Sequence, residues 1–179
     1  MNQRGFSLVE TMIALGLLLV AAAGTLPVAL LALNMTGNYG HLTARSSEYA
    51  QDKLEQLMAL SFGDTVTDTR VFPAVAPGGS GLTVGGSADP AAPIAQYVDY
   101  LNADGALLAA AGAAPPADWF YQRVWQVEEV GAADLNCPTV VSAARICTKR
   151  ITVTATVRNA ASGGIVPRVT VVALKAYPF

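Results

Sequence analysis

Histidine is nearly missing from this sequence, and charge is sparse. There is one histidine, His41, among 179 residues, and only 13% of the chain is charged. With so little imidazole, the sequence shows no Ser-His-Asp or Cys-His arrangement and no metal-ligand spacing, which argues against an enzyme. The basic side is equally thin: 11 Lys and Arg face 13 Asp and Glu, for a net charge of −2. Such a surface offers no general attraction to nucleic acid, so no nucleic-acid partner is expected. The local basic cluster Arg145, Lys149 and Arg150 reads as solvated charge beside a strand. No cofactor is implied by any motif. A phosphate-cradling role for the glycines near residue 80 would need a flanking strand and helix, and neither is clear.

One absence is concentrated in a single place. From Thr11 to Leu33 there are 23 residues without any charge, a length that crosses a bilayer core of about 30 Å. The segment before it reads Met1-Asn2-Gln3-Arg4-Gly5-Phe6-Ser7-Leu8-Val9-Glu10. A secretory signal would place its small-residue cleavage site after the apolar run. Here a short basic leader ends in Gly5, and the apolar run starts at once with Phe6. Arg4 and the amino terminus predict that this end stays cytoplasmic, with the remainder exported across the membrane in a single pass. Glu10 is the anomaly, because an ionised carboxylate entering a membrane costs several kcal/mol unless paired. A headgroup-depth position near a helix N-terminus is its alternative reading.

Two cysteines, Cys137 and Cys147, lie on the exported side. In an oxidising compartment such a pair reads as a disulfide, contributing about 2–3 kcal/mol by the chain-entropy model. Zinc is the rival, but two thiols without a nearby histidine make a poor site.

Gly5-Phe6-Ser7-Leu8-Val9-Glu10, with its basic leader and apolar helix, resembles the cleavage and methylation signature of type IV prepilins. The resemblance implies cleavage between Gly5 and Phe6 by a prepilin peptidase, and N-methylation of Phe6. It also implies that Glu10 is an assembly contact, neutralising the new amine of a neighbouring subunit. Partners would be that peptidase, other pilin or pseudopilin subunits, an inner-membrane assembly platform and the lipid bilayer. Pro27 removes a backbone N–H inside the helix, so a kink is expected there.

Downstream, Leu42, Ala50, Leu54, Leu57 and Met58 share a face, with Ser46 filling the gap and Glu48, Asp52 and Glu55 between them. This amphipathic stretch continues the apolar one, giving a single helix of about 53 residues. Residues 63–95 are rich in Gly and Pro and read as loop, with a short strand at Thr69–Val75. Ala95–Leu101 and Ala106–Leu108 flank an Asn-Ala-Asp-Gly turn and read as a hairpin. Trp119–Glu128 reads as a central strand, Ile151–Arg158 as an alternating one, and Pro167–Tyr177 as the closing one. Strands joined in sequence imply an antiparallel meander covered by the amphipathic helix.

The expected fold class is therefore α+β, the type IV pilin fold. Its parts are a leader at 1–5, a transmembrane and assembly helix at 6–33, an amphipathic half at 34–62 and a β-rich domain at 63–179. The segment Tyr121–Val127, the strand Arg150–Thr154 and the helix stretch Ala50–Leu57 resemble minor pilins of the PilV kind. I-type pseudopilins of type II secretion share much of that pattern. The expected function is a minor pilin that primes, modifies or decorates a pilus, with a secretion pseudopilin as the alternative. A tip subunit has no neighbour above it to pair with Glu10, so a position below the tip is implied.

Overall fold

The computed structural model describes residues 7–109, 112–130, 148–158 and 167–176. It divides into two compact units, Met1–His41 and Leu42–Phe179. One helix, α1 (Leu8–Ala59, 52 residues), contributes to both, and its helical backbone continues through Pro27.

The second unit has an α+β, pilin-like fold in which the end of α1 packs on an antiparallel sheet. The strands are β1 (Gly85–Gly86), β2 (Val98–Leu101), β3 (Leu107–Leu108), β4 (Tyr121–Val130), β5 (Thr148–Val157) and β6 (Arg168–Ala176). Their order is β3-β2-β4-β5-β6, and β1 lies beside β4 next to the far end of that strand. The expected pure meander is corrected at one point. After the β2–β3 hairpin, β4 pairs with the opposite edge of β2 instead of with β3. The predicted strand at Thr69–Val75 is also absent. Asp68 and Val75 form a single bridge, and the residues between them make a loop.

Alternation of side chains sets the core. Trp125 and Val127 on β4 and Ile151, Val153 and Ala155 on β5 meet Ala50 and Leu57 of the helix, with Leu54 and Met58 at the margin. The reverse face of β2 and β4 is covered as well. Val98, Tyr100 and Val124 pack against Leu108, Ala113 and Trp119, and the Tyr100 hydroxyl donates to the Ala113 carbonyl at 2.6 Å. This second cover explains why β2 is buried throughout instead of in alternation.

The last turn of α1 carries no basic residue of its own. Its loose carbonyls are met from the sheet: Lys175 Nζ donates to Met58 O at 2.5 Å and Leu60 O at 2.6 Å. In the loops beyond the helix, Lys149 Nζ donates to Phe62 O at 2.9 Å and Leu82 O at 2.8 Å. Cations at a helix C-terminus oppose the negative end of its dipole. The reading of Lys149 as solvated is thus corrected, because strand alternation turns it inward to the loop carbonyls of Phe62 and Leu82 while Arg150 turns out to Glu128. Arg145 lies outside the described residues.

Candidate functional site

Two arrangements stand out, one in each unit. In the first, Ser7 precedes the helix, and its carbonyl accepts from Glu10 N at 3.0 Å and Thr11 N at 3.2 Å. Glu10 therefore sits in the first turn, where the helix dipole favours an anion. Beyond it, Leu8–Leu33 is a 26-residue stretch long and apolar enough to cross a membrane, and it is uncovered within the structure. Fourteen large apolar side chains between Leu8 and Leu33 are exposed. At about 1.5 kcal/mol or more for each such side chain, leaving them in water forgoes on the order of 20 kcal/mol. That exceeds the net stability of an ordinary domain, about 5–15 kcal/mol. The stretch needs an apolar environment supplied from outside the chain, and its single carboxylate sits at one end.

The other sequence-derived positions divide. Pro27 lies within the helix, at an exposed position on this stretch. Gly5 and Phe6, at the expected cleavage point, lie outside the described residues, as do Cys137 and Cys147.

The second arrangement is a buried charge cluster that pattern reading missed. Lys53 is fully buried under the helix, and its ammonium lies 2.7 Å from Asp99 Oδ2 on β2. It also donates to Thr69 O at 2.6 Å and stands 4.1 Å from the centre of the Trp125 ring. Arg123 on β4 grips the same carboxylate, with Nε 2.7 Å from Oδ1 and a second nitrogen 3.0 Å from Oδ2. Its remaining nitrogen reaches Asp52 Oδ2 at 2.8 Å. Helix, β2 and β4 are thereby tied at one carboxylate, and Lys53 links the loop at Thr69 to them.

The cluster is electrostatically uneven. Burial pulls the Lys53 ammonium down to about 8, and Asp99 only partly restores it. For Asp99, burial acts upward, but the charges of Arg123 and Lys53 outweigh it and hold the carboxyl below its ordinary range. Asp99 thus anchors two cations, one of which is poorly compensated. Strand alternation turns Asp99 inward beneath the helix. A signal was present in the sequence: Lys53 sits on the spacing of Ser46, Ala50 and Leu57, which are all buried.

Among the described residues, no group of three or more His, Cys, Asp or Glu side chains could hold a metal. The cluster is a fastening between elements, saturated by its own members.

Residues 1–26 match the prokaryotic N-terminal methylation motif. No curated protein and no solved structure matches the chain. The matched region covers Glu10 and most of the uncovered apolar stretch. It supports a precursor of the type IV pilin or pseudopilin kind, processed by prepilin peptidase and assembled with other pilin subunits. It points to a structural subunit instead of a catalyst.

Proposed function

We propose that the chain is a minor pilin of a type IV pilus, held in the inner membrane until assembly and then incorporated into the filament. The observation that carries this reading is the uncovered apolar stretch Leu8–Leu33, entered through Glu10 and overlapping the methylation motif. A bilayer covers such a stretch before assembly, and neighbouring apolar helices cover it afterwards.

Prepilin peptidase cuts after Gly5 and the new amine of Phe6 is methylated. Glycine suits the cleaved position because a backbone without a side chain enters an enzyme cleft closely. The fresh amine is a cation at the end of an apolar helix. Glu10 of one subunit neutralises the amine of its neighbour, converting two costly charges into one pair when the subunits are in register. A subunit using Glu10 in this way sits below the tip. The domain faces the periplasm, where Cys137 and Cys147 close a disulfide, and Pro27 bends the helix inside the filament. The N-terminus remains cytoplasmic and engages the assembly platform.

Glu10→Ala separates processing from assembly. Mass spectrometry of the membrane fraction should show the mature mass, while the amount in sheared filaments should fall about tenfold or more. Full incorporation of the variant would end the pairing proposal. An uncut mass for the wild-type chain would end the processing proposal. A wild-type chain that copurifies with a secretion complex, and never with surface filaments, would assign it to a pseudopilus.

A further inference from the structure

Apolar packing chooses the axial position of a helix on a sheet only weakly. Rows of side chains recur with each turn, so a shift of about 5.4 Å presents a similar surface. The face that α1 turns to the sheet is of this kind. Ser46, Ala50, Lys53 and Leu57 follow one another along it, and all four are fully buried. Two of the three uncharged members, Ser46 and Ala50, are small and offer little shape to lock into.

The charges do not recur. On the sheet, Asp99 of β2 and Arg123 of β4 stand directly opposite one another and pair at 2.7 Å. On the helix, two adjacent residues carry the complementary order. Lys53 meets Asp99 at 2.7 Å, and Asp52 meets Arg123 at 2.8 Å. A shift of one turn brings Glu48-Tyr49 or Tyr49-Ala50 to this place in one direction, and Glu55-Gln56 or Gln56-Leu57 in the other. None of these supplies a cation to Asp99. Between Leu42 and Ala59 the one other Lys or Arg is Arg45, which is half-exposed and pairs with Glu48. Lys53 would also lose its place. Any shift takes its ammonium from Asp99 and from the Thr69 carbonyl, leaving a buried cation without its acceptors.

We propose that Asp52 and Lys53 on α1, with Asp99 and Arg123 on the sheet, form a register lock that admits one axial position of the helix. The lock acts by what it forbids. Making it desolvates three charges, so it adds little net stability, but every shifted position strands Lys53. One polar residue in an otherwise apolar seam fixes the register of a coiled coil in the same manner.

Distances between spin labels on the full chain in detergent micelles test this. Labels carried on p-acetylphenylalanine at Gln51 and Leu174, both exposed, leave the cysteines and the lock untouched. The wild-type chain should give one narrow distance. Lys53→Met should keep a urea midpoint close to wild type, yet show a second distance in about a tenth or more of the molecules, offset by up to about 5.4 Å. Leu57→Ala should lower the midpoint and keep a single distance, because it leaves the lock intact. Should Lys53→Met fail to fold, combining it with Asp99→Leu and Arg123→Met removes every buried charge of the cluster and should show the same second distance. A single narrow distance in the folded lock variant assigns the register to apolar packing and the Lys175 contacts, and overturns the proposal. A second distance in Leu57→Ala makes shifting a general response to lost stability and overturns it too. Unfolding of both lock variants would make the cluster a source of stability instead of register, which also overturns it.

Discussion

The helical stretch Leu8–Leu33 and the domain that begins at Leu42 solve opposite problems. The first region holds its large side chains outward and satisfies only its backbone, so its stability is borrowed from a bilayer or from other helices. The domain turns its large side chains inward and buries even charges, provided that each finds a partner. Charge is handled accordingly. In the apolar stretch Leu8–Leu33 a single carboxylate, Glu10, sits in the first turn of the helix. In the domain, Asp99 meets both of its cations within the same chain. A charge completed internally, as Asp99 is, fastens a fold.

The largest effect should come from breaking the internal cluster. Asp99→Asn leaves Lys53 and Arg123 buried with only the half-exposed Asp52 nearby, and should cost about 3–5 kcal/mol. Chemical denaturation followed by Trp fluorescence would measure it, and membrane insertion of the first region should be untouched. The same carboxylate governs acid stability. Because its folded pKa lies below the ordinary 3.8, Asp99 stabilises the domain above that pH and loses the contribution as pH falls through the folded value. Asp64 and Asp68 act in the same direction. The acid limb of a stability–pH curve should therefore be shallower in Asp99→Asn.

A backbone substitution comes next. Gly86 has φ +83°, and a Cβ there would fall 2.2 Å from the Trp125 carbonyl oxygen. Gly86→Ala combines left-handed strain with a backbone clash and should cost about 1–3 kcal/mol, read from the urea midpoint.

Lys53→Met should be milder than Asp99→Asn, about 1 kcal/mol in either direction, because it removes a costly buried charge and leaves Asp99 with Arg123. Its alkaline signature is sharper. The folded value near 8 lies below the ordinary 10.5, so between them the unfolded chain binds more proton. Lys53 therefore adds stability as pH rises through that window. The variant should flatten that part of the profile, and an unchanged slope would show that Lys53 is not the titrating group.

The smallest effect on the domain should come from the other region. Leu18→Ala removes a large apolar side chain that touches no core, so the domain's midpoint should move by less than about 0.5 kcal/mol. The same truncation at Leu57, which is buried in the core, should cost about 2–5 kcal/mol. Similar losses at the two leucines would erase the distinction between the regions.

Much of this was legible from sequence because it depends on runs and periods. A charge-free segment reports a membrane-length helix whatever surrounds it. The alternation of Ile151, Val153, Ala155 and Val157 reports an inward face, and all four are buried. The turn at Asn102–Gly105 reports a hairpin, and β2 and β3 flank it. The misses involve groups whose environment comes from distant parts of the chain. Lys53 looks like a surface lysine until Asp99, 46 positions later, comes beneath it. Lys149 looks solvated until the loop carbonyls of Phe62 and Leu82 arrive above its strand. The β4 pairing escapes a sequential reading because proximity along the chain does not decide which edge of β2 is open.

By itself the sequence determined the apolar helix, the acid at its entrance, the methylation motif and the α+β class. These follow from local composition and spacing, where each residue's contribution is independent of its remote neighbours. Only the tertiary structure decided which charges are fastened inside, how the end of the helix is capped, and in what order the strands pair. Those depend on what burial brings together, because the value of a charge or an open backbone group is set by the atoms around it.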